Sequence, residues 1–231
     1  MIEKSPEGIL LINKPKGKTS FSLIGALRRI LSVKKIGHAG TLDPFATGVM
    51  VLLIGRAFTK LSHSFLSSDK EYLAHVVLGK ATDSYDIDGE ITNESSLIPT
   101  RQEIEAIVSK YQGEMMQVPP MFSAKKIKGK KLYELARAGK TIERQPVSVF
   151  IKTELISYNY PELHLRIECS KGTYIRSIAH DMGQDLGSYA FLNALHRTRS
   201  GSFNIIDCLD GSLLFDAADP EKIKQKIRVQ C

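Results

Sequence analysis

The chain has 231 residues, 42% hydrophobic and 25% charged, a balance that describes a soluble globular protein whose core needs no disulfide or metal staple. Its longest pure apolar run, Val49 to Ile54, is far short of the roughly 20 residues that cross a bilayer, and Glu3, Lys4 and Pro6 stand where a signal peptide would begin its hydrophobic stretch; secreted, membrane and disordered classes are excluded. The net charge of +7, from 32 Lys and Arg against 25 Asp and Glu, favours a polyanionic partner, and three scattered cysteines (Cys169, Cys208, Cys231) point to reduced thiols in the cytoplasm.

Gly8–Ile12 reads as a short buried strand closed by the turn-like Asn13–Gly17. Thr19 or Ser20 caps a helix with Ile24, Leu27, Ile30 and Leu31 at helical spacing. A Gly- and Pro-containing loop over 37–48 leads into the strand Val49–Ile54. Residues 71–79 alternate as a strand, and 83–89 form an acidic turn. Thr100 caps a helix over 100–113, and Val118–Arg144 is an exposed excursion. Leu163, Leu165, Ile167 and Cys169 alternate with His164, Arg166 and Glu168, which predicts a half-buried strand. Ile175–Leu186 and Ala190–Leu195 read as helical. Strands and helices mix without strict alternation, so the expected class is α+β.

Charge is concentrated rather than spread. Between Lys125 and Arg144 stand eight basic residues, Lys130 and Lys131 among them, and two acids, so this segment carries +6 of the chain's +7. It is either a solvated basic face or a contact to a phosphate backbone. Two other motifs fail on their own terms. Gly17-Lys-Thr-Ser20 has the ending of a phosphate loop, but Ile12 stands where that loop needs glycine. The six histidines form no H-x-x-x-H pair, so their spacing gives zinc no support.

Two clusters remain. In the loop Gly37-His-Ala-Gly-Thr-Leu-Asp-Pro-Phe-Ala-Thr-Gly48, Asp43 precedes a proline and is either a turn former or a chemical group. Three glycines there allow close backbone approach, and His38 and Phe45 offer planar surfaces. In Lys171-Gly-Thr-Tyr-Ile-Arg176, an extended chain would put Tyr174 and Arg176 on one face with Ile175 in the core. Residue chemistry alone reaches a basic, nucleic-acid-binding α+β protein.

At these residues the chain resembles the TruB family of tRNA pseudouridine synthases. The matching segments are GILLINKP (8–15), GHAGTLDPFATG (37–48), DKEY (69–72), TDSYDIDG (82–89), QVPPMFSAKKIKGKKLYE (117–134) and CSKGTYIR (169–176), in family order. The resemblance implies a pseudouridine synthase fold, a central mixed, mostly antiparallel sheet flanked by helices and loops, with an inserted basic thumb over about 118–147. It implies a catalytic domain over 1–211 and a short tail over 212–231, without the C-terminal PUA domain of many relatives. It further implies isomerisation of uridine 55 in the tRNA T-arm by base flipping, with Asp43 as nucleophile, Arg176 paired with it and Tyr72 near the target base. His38, Tyr174 and Leu195 would line the extruded nucleotide, and Lys18, Lys60, Lys130 and Lys131 would contact the RNA. No cofactor and no metal are implied, and the expected partner is tRNA bound by a monomer. The competing reading is an RNA-binding protein that uses the same scaffold without catalysis.

Overall fold

The computed structural model describes residues 5–123, 126–127, 129–216 and 218–229; Lys125, Lys128 and Cys231 lie outside them. In chain order the elements are β1 (Gly8–Lys14), α1 (Ser20–Leu31), β2 (Ile36–His38), β3 (Thr47–Ile54), α2 (Gly55–Thr59), α3 (Ser62–Leu66), β4 (Lys70–Leu78), β5 (Lys80–Thr82) and β6 (Ile91–Glu94). There follow α4 (Arg101–Lys110), β7 (Gly113–Gln117), β8 (Lys126–Ile127), β9 (Lys130–Lys131), α5 (Leu132–Arg137), β10 (Val147–Asn159), β11 (Glu162–Cys169) and α6 (Ile175–Asp185). The chain ends with β12 (Ala190–Ser200), β13 (Phe203–Asn204), β14 (Leu209–Asp210), α7 (Leu213–Asp216) and α8 (Pro220–Gln225). Two compact units result, one of 1–72 with 195–231 and one of 73–194. The expected α+β class with a mixed, mostly antiparallel sheet holds: only β1–β14 and β12–β3 pair parallel among the strand pairs whose registers are described.

In the first unit the strands run in the order β14-β1-β3-β12, with β2 also on β3 and β13 on β12. β1 and β3 are buried on both faces, which is why they read as continuous apolar runs rather than alternating ones. One face gathers Ile9, Leu11, Val49, Val51 and Leu53 against Ala39 and Phe203. Thr19 caps α1 by accepting the Ser22 N–H, as its position predicted. The parallel pairing of β12 with β3 brings Arg197 opposite Gly48, whose φ is +109°. A Cβ added at Gly48 would lie 2.2 Å from the Arg197 carbonyl oxygen. Gly48→Ala is therefore expected to cost on the order of 3 kcal/mol or more, from strain plus overpacking. Gly17→Ala, also at positive φ but with nothing within 4 Å, is expected to cost about 1 kcal/mol. Urea unfolding of the two variants side by side measures the difference.

In the second unit the order is β4-β11-β10-β7. β11 buries Leu163, Leu165, Ile167 and Cys169, as the alternation predicted. Thr100 caps α4 through a capping box with Glu103. This helix ends at Lys110 rather than near 113, because Tyr111 leaves helical geometry before β7 begins at Gly113.

Three further sequence expectations are corrected. Ala190–Leu195 is not helical but the first half of β12. Phe191, Leu192 and Leu195 fit a helical face, yet the same apolar spacing suits a strand buried on both sides, and sheet pairing decides. The chain is not extended through Arg176. Tyr174 is the N-cap of α6, and its carbonyl accepts from Ser177 and Ile178, so Tyr174 and Arg176 do not share a strand face; Ile175 is buried as expected. Finally, the excursion over 118–144 is not exposed throughout. Pro119, Pro120, Ser123 and Leu132 are buried, the Tyr133 N–H donates to Ser123, and the segment leaves and returns where Gln117 pairs with Val147.

Candidate active site

Asp43 sits half-buried on the connection between β2 and β3. Its carbonyl accepts from the Ala46 N–H at 3.2 Å, so the Asp-Pro turn expected there is formed. Neighbouring elements fix that turn. The Ser20 hydroxyl on α1 both donates to the Leu42 carbonyl and accepts from the Leu42 N–H, at 3.1 and 3.0 Å. The Pro44 carbonyl accepts from the Gly17 N–H at 2.8 Å and from Lys14 Nζ at 3.1 Å. The peptide after Pro44 is thus held by the end of β1 and by the loop that follows it.

Lys14, the last residue but one of the first matched segment, is not among the site residues expected from the sequence. It is fully buried, and its ammonium places three donors on the carbonyls of Pro15, Lys18 and Pro44. Burial lowers its pKa from 10.5 to about 8, partly offset by the nearby Asp43 charge and reinforced by the Arg197 charge. The unfolded chain then binds more protons between about pH 8 and pH 10.5, so stability gains with rising pH across that window. Urea midpoints of wild type minus Lys14→Met, measured across that window, should rise with pH.

Arg197 is a second buried cation beneath the loop, and it too was missed. Its guanidinium donates to the carbonyls of Val49 at 2.7 Å and Gly40 at 3.3 Å. His38 ends β2 opposite Leu52. Its Nδ1 is buried without a hydrogen-bond partner among the described residues, and burial followed by the Arg197 charge keeps the ring below the ordinary imidazole pKa. Thr47 Oγ1 hydrogen-bonds His196 Nδ1 at 2.8 Å, and the buried Leu195 lies next to it on β12. Tyr72, on β4, is buried. Of the expected RNA-contacting lysines in this unit, Lys60 is exposed at the end of α2. Lys18 is exposed with its ammonium 4.4 Å from the centre of the Phe215 ring.

In the second unit Arg176 is 4% exposed, at the start of α6. It donates to the carbonyls of Ser84 at 3.0 Å and Phe122 at 2.8 Å and forms an ion pair with Asp86 at 3.1 Å. Asp86, read from the sequence as part of a plain acidic turn, is 5% exposed. Its Oδ1 accepts from the Ser84 hydroxyl and the Asp88 N–H while Oδ2 meets Arg176. Gln117 at the end of β7 clamps Tyr174 with two hydrogen bonds, accepting its N–H and donating to its carbonyl. Tyr85 stacks on His180 at 3.8 Å. Lys130 and Lys131 stand on β9, and their side chains lie outside the described residues. No histidine spacing along the chain supports zinc, whereas the structure gathers His75, Glu162 and His164 from two strands.

This fold is that of pseudouridine synthases. The chain superposes on a chain of a "Cbf5-Nop10-Gar1 Complex" with a TM-score of 0.72 at 24% identity, covering 96% of this chain and 60% of that one. It superposes on a chain of an archaeal "box H/ACA sRNP Nop10-Cbf5 complex" with a TM-score of 0.69 at 24% identity, covering 97% and 60%. The chain therefore spans about three fifths of those longer chains.

Residues 28–175 match the family described as "TruB family pseudouridylate synthase (N terminal domain)". The chain is 62% identical over 216 residues to the tRNA pseudouridine synthase B of Protochlamydia amoebophila (strain UWE25), covering 94% of this chain and 82% of that protein. It is 45% identical over 228 residues to the protein of the same name from Opitutus terrae, covering 98% and 94%. The chain belongs to the TruB family and is an isomerase of the pseudouridine synthase class.

Proposed function

We propose that the chain converts uridine 55 in the T-arm of tRNA to pseudouridine, with Asp43 as the nucleophile. The observation that carries this reading is the turn at Asp43, whose following carbonyl is fixed by the Gly17 N–H and the buried Lys14 ammonium, so that a carboxylate is presented on an immobilised backbone. A carboxylate nucleophile splits a hard displacement into two easier ones through a covalent intermediate. The bond between uracil and ribose breaks, the base turns over, C5 bonds to the sugar, and the C5 proton leaves while N1 regains one. Arg176 serves as the cationic partner of the reacting carboxylate, and Tyr72 and Tyr174 supply surfaces for a base flipped out of the T-loop. His38 and Leu195 shape that nucleotide pocket, while Lys18 and Lys60 contact the RNA backbone. No cofactor takes part.

Tritium release from a T-arm stem-loop labelled at C5 of its uridines tests the proposal. One equivalent released per RNA, lost when uridine 55 alone is replaced, is the expected result. Intact binding with no release would replace it by the non-catalytic RNA-binding reading.

The basic segment between β7 and β10 is assigned to the RNA backbone. Lys130→Ala with Lys131→Ala should weaken stem-loop binding and flatten the slope of log K against log salt by about 2, one unit for each lost phosphate contact. An unchanged slope would remove the thumb from the interface.

A further inference from the structure

A group of side chains on β4 and β11 takes no part in the chemistry proposed above. Along β4, Ala74, Val76 and Leu78 are buried while His75 between them is half-buried; along β11, Leu163 and Leu165 are buried while Glu162 and His164 alternate with them. The two strands are neighbours in the sheet, so the period of two puts His75, Glu162 and His164 on one face. His75 Nε2 hydrogen-bonds Glu162 Oε2. The rings of His75 and His164 stack with centroids 4.4 Å apart and planes 15° apart. One donor atom from each of the three residues lies within 4.8 Å of the other two. Solvent reaches the group, because the His75 and Glu162 side chains are 23% and 44% exposed.

We propose that His75, His164 and Glu162 form a binding site for one divalent transition-metal ion of the zinc class, with a fourth position open to water, linking β4 to β11. Two imidazole nitrogens and one carboxylate suit zinc, whereas magnesium and calcium select oxygen ligands. A tetrahedral ion with ligands at about 2.0–2.1 Å sets its donors roughly 3.3 Å apart. The present spread contracts to that by small ring rotations, which trade the stack for convergent nitrogens. The backbone does not have to move, since both strands are already paired.

A supporting residue is in place as well. Asn193 Nδ2 lies 3.0 Å from His75 Nδ1, the ring atom left over when Nε2 binds a metal. With the ion bound, Nδ1 carries the proton and donates a hydrogen bond to Asn193 Oδ1, which a half turn of the amide brings to face it. Such an outer partner fixes the tautomer and orientation of a metal-binding histidine. The signal is invisible along the sequence, because 87 residues separate His75 from Glu162.

The test uses the full chain, reduced and stripped with chelator, titrated with Co²⁺ and then Zn²⁺. One equivalent of Co²⁺ should bind with visible d–d bands and no sulfur charge-transfer band, Zn²⁺ should displace it, and the thermal midpoint should rise on Zn²⁺ binding. His164→Ala should weaken binding about 100-fold or more, and Asn193→Ala about tenfold. Glu162→Gln alters an exposed side chain, so it should fold normally and still lose metal affinity, while tritium release from the stem-loop stays at the wild-type rate. The proposal is overturned by the absence of saturable one-to-one binding, by undiminished affinity in both His164→Ala and Glu162→Gln, or by a sulfur charge-transfer band placing the ion on a cysteine.

Discussion

Asp43→Asn is expected to abolish tritium release, by on the order of 10⁴–10⁶-fold, while leaving stem-loop affinity within a few fold. An amide keeps the size and the turn-forming capacity of the carboxylate but cannot act as the nucleophile, and loss of a nucleophile removes an interaction made only along the reaction path. The turn should survive, because its contacts belong to the backbone: Ala46 N–H to Asp43 C=O, Gly17 N–H and Lys14 Nζ to Pro44 C=O, and Ser20 to Leu42. A second readout separates chemistry from scaffolding. The Asp43 charge raises the Lys14 pKa, so its removal should lower that pKa below the wild-type value of about 8. NMR titration of the Lys14 side chain in the variant follows this directly. If activity, RNA affinity and the Lys14–Pro44 contact were lost together, Asp43 would be a structural residue and not the nucleophile.

The sequence announced the loop around Asp43 but not what holds it. Gly-rich runs and Asp-Pro turns are local signals, readable residue by residue, and the capped helices α1 and α4 are local in the same sense. Lys14 and Arg197 are not local. A lysine just after an apolar run looks like a strand terminus until three carbonyls from two loops are seen around it. Arg197 lies two residues beyond the expected helix Ala190–Leu195, in the second half of β12. Had Ala190–Ser200 been read as a strand, Leu195 and Arg197 would have fallen on one face, and a buried arginine would have stood out. Asp86 is illegible for the opposite reason: its surroundings in sequence are those of a surface turn, whereas in the fold it is a buried charge facing a partner 90 residues away.

That buried pair carries the largest expected effect on stability. With side chains 4% and 6% exposed, Arg176 and Asp86 have both left water, and deleting the acid would take a buried counter-charge from the guanidinium. Breaking a buried ion pair from one side typically costs about 3–5 kcal/mol. Asp86→Ala should therefore loosen the second unit by about that much. Asp86→Asn should be milder, because its oxygen keeps the acceptor role toward the Ser84 hydroxyl and the Asp88 N–H, while the charge facing Arg176 is gone. The difference between the two variants separates the turn's hydrogen bonds from the ion pair. Local opening reads the effect where the ion pair sits. Hydrogen exchange at the amides of Tyr85 and Gly89 in the turn, and of Ser177 and Ile178 in α6, should accelerate on the order of 10²–10³-fold in Asp86→Ala. Acceleration confined to the turn amides would mean that Asp86 shapes only its own loop. Acceleration at α6 as well would show that the acid also anchors the first turn of the helix that carries Arg176.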